Sequence, residues 1–131
     1  MKPAFLLDSS ACIAVLRNKA GLGKLPDPAL TGIPVIVAAE LWTGVKKNIK
    51  THPQQAGRLE AFLGLFQLAD FTLDAALHYA DIRAALEAGG VSIGPMDLLI
   101  AAQARSLGAT LVTANTKEFQ RVKGLKIRAW S

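Results

Sequence analysis

The sequence predicts an α/β sandwich around a mainly parallel sheet, in one domain spanning residues 1–131. Brief apolar runs alternate with segments of helical spacing, the pattern of strands crossed over by helices. The N-terminus alone supplies half of such a unit: an apolar run, a turn, and a helix ending near Arg17. No repeat, low-complexity tract or linker interrupts the alternation, and a chain of 131 residues buries a core without disulfides or a structural metal.

Taken in order, Ala4 to Leu7 is a short apolar run that stops at Asp8, and SSACIAVLR behind it has helical spacing. A Gly/Pro-rich loop, GLGKLPDPALTG, follows. The β-branched run Ile33 to Val37 reads as a buried strand or as a strand running into a helix. AAELWTGVKKNIK is its helical continuation, with Glu40 in the first turn. Pro53 opens an amphipathic helix that puts Leu59, Phe62, Leu63 and Phe66 on one face. Leu73 to Ala88 forms another, with Asp74 near its start and Gly89-Gly90 as its stop. In IGPMDLLIAAQA, Pro95 suits the first helical position; Leu98, Leu99, Ala102 and Leu107 make the buried stripe, and Gly108 ends the helix. Ala109 to Thr113 (ATLVT) is a strand, NTKEFQRV a short helical piece, and Leu125 to Trp130 the last strand.

The composition narrows the function classes. Hydrophobic residues make up 51% and charged residues only 19%, so part of the apolar surface is expected to be covered by a partner or a second copy. The one cysteine, Cys12, fits a reducing compartment and, between Ala11 and Ile13, a small buried hydrophobe. No run approaches the roughly 18 apolar residues of a membrane span, and Asp8, Ser9 and Ser10 break the stretch that a signal peptide would need; the expected location is the cytoplasm. A net charge of +5 with a pI near 9.7 favours a polyanionic partner. Walker-type GxxxxGK[ST] and GxGxxG patterns are absent, which disfavours nucleotide binding. His52 and His78 lack metal-ligand spacing, and Trp42, Trp130 and Tyr79 are assigned to packing.

Only ten residues are acidic, and three occupy matching places. Asp8 follows a strand and precedes a helix, while Glu40 and Asp97 each lie early in a helix among apolar neighbours. In an open α/β sheet, strand ends and the starts of the next helices share one edge, where ligands bind. A helix cap or first-turn acid explains each one singly, at roughly 0.3–1 kcal/mol. Two carboxylates about 4 Å apart repel by roughly 4 kcal/mol at an effective dielectric of 20, so a cluster of three calls for a cation. Hard oxygen donors without paired Cys or His suit Mg²⁺ or Mn²⁺ rather than zinc.

LLDSSACIAVL, VAAELWTGV, HYADIRAALEAGGVSIGPMDLLIAAQARSLGATLVTANTKEF and VKGLKIRAW, in that order, resemble the PIN-domain ribonucleases, and within them the VapC-type toxins of bacterial toxin–antitoxin modules. The resemblance spans nearly the whole chain. It implies a PIN-like α/β/α sandwich and a Mg²⁺-dependent endoribonuclease that forms a homodimer and is inhibited by a VapB-type antitoxin. It places Asp8, Glu40 and Asp97 at the core of the site, as catalytic residues and metal ligands. Where many PIN domains carry a further Asp after the late strand, this chain has Asn115, and the pattern NTKEF selects Glu118 as the fourth acid. Asn115 is left a supporting role through its carbonyl oxygen or a hydrogen bond to substrate or to a metal-bound water. Ser9 and Ser10 stand where the family often has Thr-Asn, with capping, orientation of Asp8, or phosphate contact as their candidate roles, and Thr113 supports the same edge.

RNA approaching a negative pocket needs basic residues around it, and the candidates are Lys46, Lys47 and Lys50 beyond Glu40, and Lys117, Arg121 and Lys123 around Glu118. Solvated helix faces are the bland account of each. The substrate implied by the resemblance is RNA, with tRNA as one candidate. A haloacid-dehalogenase-type phosphatase fits less well, because the second acid it wants falls at Ser10. The alternative function is a catalytically silent PIN-like module that binds RNA or protein, a reading the Asn115 position leaves open.

Overall fold

The computed structural model describes residues 2–17 and 24–130. Five short strands, β1 (Phe5–Leu7), β2 (Thr31–Pro34), β3 (Gln67–Ala69), β4 (Thr110–Thr113) and β5 (Lys126–Ala129), carry between them the helices α1 (Ser9–Arg17), α2 (Val35–Lys47), α3 (Gln55–Leu63), α4 (Leu73–Ala88), α5 (Pro95–Leu107) and α6 (Thr116–Phe119). The strands form one sheet in the order β3-β2-β1-β4-β5, and every pairing is parallel. The predicted α/β/α architecture stands, with a sheet wholly rather than mainly parallel. No helix among the described residues is long and apolar enough to cross a membrane.

A parallel sheet needs a covering layer on both faces, and the central strands show it. Leu6, Leu7, Ile33, Leu111 and Val112 are all buried. Helix α5 is the internal one: Leu98, Ile100, Ala101, Ala102, Gln103 and Ala104 are buried, so small residues let it lie close to its neighbours on more than one side. Leu99 and Leu107, assigned to its buried stripe, are only half-buried. The helix starts with Pro95 at its first position and stops at Gly108, whose φ of 64° lies in the left-handed region that glycine adopts without a Cβ penalty.

Four expectations need correction. Helix α2 begins at Val35, directly after Pro34; of the two readings of the β-branched run 33–37 the strand running into a helix holds, but Glu40 sits in the second turn rather than the first. Helix α3 begins at Gln55, two residues after the predicted Pro53, and ends at Leu63; Phe66 therefore lies beyond it, though still buried and edge-on to Phe62 with ring centroids 5.2 Å apart. Strand β3 went unpredicted. Of the loop read at 21–32, residues 21–23 lie outside the described residues, while 31–32 already belong to β2.

Candidate functional site

Because all five strands run the same way, their carboxyl ends share one edge of the sheet. Leu7 pairs with Val112, which brings the residues that follow them, Asp8 and Thr113, side by side. Asp8 is only 3% exposed, and both its oxygens are engaged. Oδ1 accepts from the Ser10 hydroxyl at 2.7 Å and from the Ala11 backbone N–H at 2.9 Å, while Oδ2 accepts from the Thr113 hydroxyl. Asp8 thus caps α1 and is aimed from three directions at once. Thr113 Oγ1 in turn accepts from the Asn115 N–H at 2.8 Å, and Ser10 Oγ from the Ala114 N–H at 2.9 Å. The chain leaving β4 is locked onto the start of α1.

Glu40 reaches the same edge from α2, where it is half-buried, and its Oε1 accepts from the Ser9 hydroxyl at 2.5 Å. The two serines therefore divide the work: Ser10 orients Asp8 and Ser9 orients Glu40, and the α1 N-terminus is capped by Asp8 itself. Asp97 stands in the first turn of α5. Its pKa is pushed up to about 6, first by burial and then by the charges of Glu118, Asp8 and Glu40 together with a side-chain hydrogen bond to Glu118. One carboxyl group senses all three others, so the four acids share a single electrostatic site. Yet no group of three or more His, Cys, Asp or Glu side chains among the described residues is already arranged to hold a metal ion. The acids converge on one edge without forming a closed cage among the described residues.

Glu118 stands on the single turn α6. The Gly94 N–H donates to its Oε1 at 2.7 Å and the Asn115 amide to its Oε2 at 2.9 Å. The Gly94 bond first, then Asn115, and further on Arg121 and Asp97, hold its carboxyl below the usual range. Asn115 thus reaches the site through its side-chain amide N–H, which donates to Glu118. Gly94 was read only as a break before a helix. Its N–H is free for this role because it precedes the first turn, where backbone donors have no intrahelical partner. A Cβ there would sit 3.6 Å from Asp97 Oδ2 and 3.7 Å from Glu118 Oε1, so the glycine lies between the two acids.

The basic candidates separate into two groups. Arg121 donates to the Ser92 carbonyl at 3.1 Å and is near enough to Glu118 to affect it; Lys117 is exposed on α6 beside Glu118. Lys123 is exposed in the turn before β5. Lys46 and Lys47, by contrast, occupy the last turn of α2, with Lys46 Nζ 5.9 Å from the Trp42 ring centroid, and Lys50 follows in the turn beyond. From Glu40 to Lys47 the helix advances about 10 Å, away from the sheet edge. These three do not ring the acids. Cys12 is fully buried, as expected, and burial and the Asp8 charge push its thiol pKa up, which leaves it unreactive.

Residues 5–125 match the PIN domain family model. Two relatives align over nearly their whole length. The tRNA(fMet)-specific endonuclease VapC of Shigella flexneri is 34% identical over 97% of this chain and 98% of its own, and ribonuclease VapC2 of Rickettsia felis is 35% identical over 96% and 97%. Among solved structures, DNA-bound VapBC from Salmonella typhimurium superposes with a TM-score of 0.92 at 31% identity, covering 98% of this chain and 99% of that one. With a five-stranded parallel sheet, four acids on one edge and this likeness from end to end, the chain belongs to the PIN-domain family and, within it, to the VapC ribonucleases.

Proposed function

We propose that the chain is a divalent-metal-dependent endoribonuclease, the toxin of a VapBC-type pair, hydrolysing RNA phosphodiester bonds in the cytoplasm, with tRNA as the candidate substrate. One observation carries the reading at the level of residues: Asp97 has its pKa pushed up to about 6 by burial and by three further carboxylates, Asp8 between β1 and α1, Glu40 on α2 and Glu118 on α6. Folding has gathered repelling charges on one edge, and among the described residues no Lys or Arg forms a salt bridge with any of the four.

The donor set is oxygen only, which fits Mg²⁺, with Mn²⁺ as a substitute. Asp8 and Asp97 would hold the ion, with Glu40 and Glu118 completing the set directly or through water. Bound there, it would polarise the scissile phosphate and lower the pKa of a water molecule. The chain's own residues prepare that chemistry. Thr113, Ser10 and the Ala11 N–H fix Asp8 in one orientation, and Ser9 does the same for Glu40. Gly94 and Asn115 keep Glu118 ionised at neutral pH. Lys117 and Arg121, beside Glu118, are the phosphate contacts we assign on geometry.

A VapB-type antitoxin is the proposed partner, since the solved relatives include VapBC complexes. Its place would be the groove of about 320 Å³ between α1, α2 and α3, where Ile13, Leu41, Val45 and Leu59 present an apolar surface and Glu40 lines the same cavity. A segment with apolar side chains followed by an Arg would fill the groove and pair with the carboxylates. Leu68, Leu73 and Leu77, exposed by 52%, 77% and 60%, offer a surface to a second copy of the chain.

Purified protein incubated with labelled structured RNA and Mg²⁺ is the test. Cleavage abolished by EDTA, by Asp8→Ala and by Asp97→Ala is the expected result. RNA bound but left intact would instead favour a silent binding module. Expression without an antitoxin should arrest growth, and an unaffected culture full of folded protein would refute the toxin role.

A further inference from the structure

Helix α5 buries five apolar residues and one amide, Gln103, which is 1% exposed. Its Nε2 donates to two successive carbonyls where the chain leaves β3, Ala69 O at 2.7 Å and Asp70 O at 3.0 Å. Its Oε1 is buried with no hydrogen-bond partner among the described residues. A buried acceptor left unmet costs free energy that an apolar side chain of the same size would not. What the amide supplies in return is a fixed point between a helix and the end of a strand.

That point lies between two carriers of the site. Helix α5 bears Asp97 in its first turn, and from Asp97 to Gln103 it advances about 9 Å, so the helix is tied within two turns of the acid. On the other side of the tie, Ala69 pairs with Pro34, the residue directly before α2, which bears Glu40. Helices α2 and α5 also pack against each other. A slip of α5 past the end of β3 would carry Asp97 with it and change its distance from Glu40. The buried residues beside Gln103 are Ala101, Ala102 and Ala104, whose shallow ridges do little to oppose such a slip. We infer that Gln103 is a positioning residue for the metal site: its two hydrogen bonds set α5 against the sheet edge from which α2 springs, and so fix the separation of Asp97 and Glu40. The inference rests on the metal-dependent ribonuclease reading above and adds a residue that touches neither metal nor RNA.

Gln103→Met fills the same space with a flexible apolar chain and removes both donors. Mn²⁺ binding followed by electron paramagnetic resonance, without RNA, should show a dissociation constant raised about tenfold, the lower end of what groups that orient metal ligands contribute. Cleavage should show a lowered kcat with the KM for RNA unchanged. Gly108→Ala, at the far end of the same helix, weakens the fold without touching either bond; it should bind Mn²⁺ as the wild type does, which separates loss of position from loss of stability. A wild-type measurement covers the case of a variant that fails to fold. Coupling is reciprocal, so a tie that tightens metal binding is itself tightened by the metal. Mg²⁺ should therefore slow hydrogen exchange of the Gln103 side-chain amide by more than it slows the backbone N–H of Leu111, which is buried in β4 and reports global opening. A folded Gln103→Met protein with wild-type Mn²⁺ affinity, or equal slowing at the two amides, would overturn the inference and leave the nuclease reading standing. Wild-type protein that binds no Mn²⁺ and cuts no RNA would overturn both.

Discussion

Thr113 shows how much one side chain carries here. Its hydroxyl donates to Asp8 and accepts from the Asn115 N–H, and it is fully buried. Thr113→Val preserves the shape but leaves a buried carboxylate oxygen and a backbone N–H unpartnered, so we predict a loss of about 1–3 kcal/mol in denaturant unfolding, together with impaired cleavage. Ser9→Ala should behave differently. It frees a half-buried Glu40 without orphaning a buried group, so cleavage should fall several-fold at nearly unchanged Tm. Asp97→Asn should raise the Tm of metal-free protein by removing a repelled charge and should abolish activity; a lowered Tm would show that the acids do not strain one another. Asp8 and Asp97 were legible in the sequence because each stands at a strand-to-helix or loop-to-helix junction with a local signature. The Ser9–Glu40 and Gly94–Glu118 bonds were not, since they join residues 31 and 24 positions apart and no spacing rule connects them.

Among the elements, helices with clear punctuation were readable and strands without it were not. Helix α4 matches its predicted bounds because Thr72 caps one end, accepting from the Ala75 N–H at 3.2 Å, and Gly89 ends the other. Strand β3 has three residues, two of them exposed, and so shows neither alternation nor a buried run. Its place comes from pairing with β2, a tertiary fact. In α2 the β-branched start Val35-Ile36-Val37 favours a strand locally, and the helix forms there because its apolar face packs on the sheet; that shift alone moved Glu40 by a turn. The C-terminal stop of α5 yields a direct test. Gly108→Ala forces a Cβ into the left-handed region with open space around it, so the cost should be purely conformational, about 1 kcal/mol in thermal or chemical unfolding.

For the molecule as a whole, the balance of charge governs stability and binding. Asp97 titrates near pH 6 in the folded protein and near its ordinary 3.8 when unfolded. Between those values the native state holds the extra proton, so this group makes the metal-free protein lose stability as pH rises from about 4 to about 6. A divalent cation must displace that proton, and its stabilising effect should therefore grow as pH climbs past 6. Melting curves with EDTA and with Mg²⁺ on either side of that pH would reveal it, and a metal shift independent of pH would contradict the coupling. RNA affinity should fall steeply with salt. Lys117→Gln should reduce the slope of log K against log salt by about 0.7, the contribution of one phosphate contact on a single strand, whereas Lys47→Gln, at the far end of α2, should leave it unchanged.

Of the three groups that aim Asp8, one, the Thr113 hydroxyl, lies 105 residues further along the chain. During synthesis, every other element up to α5 leaves the ribosome before Thr113 exists to receive that carboxylate. A growing polypeptide therefore passes most of translation without the full set of bonds that orients this edge, and the set closes only once β4 has emerged and paired with β1.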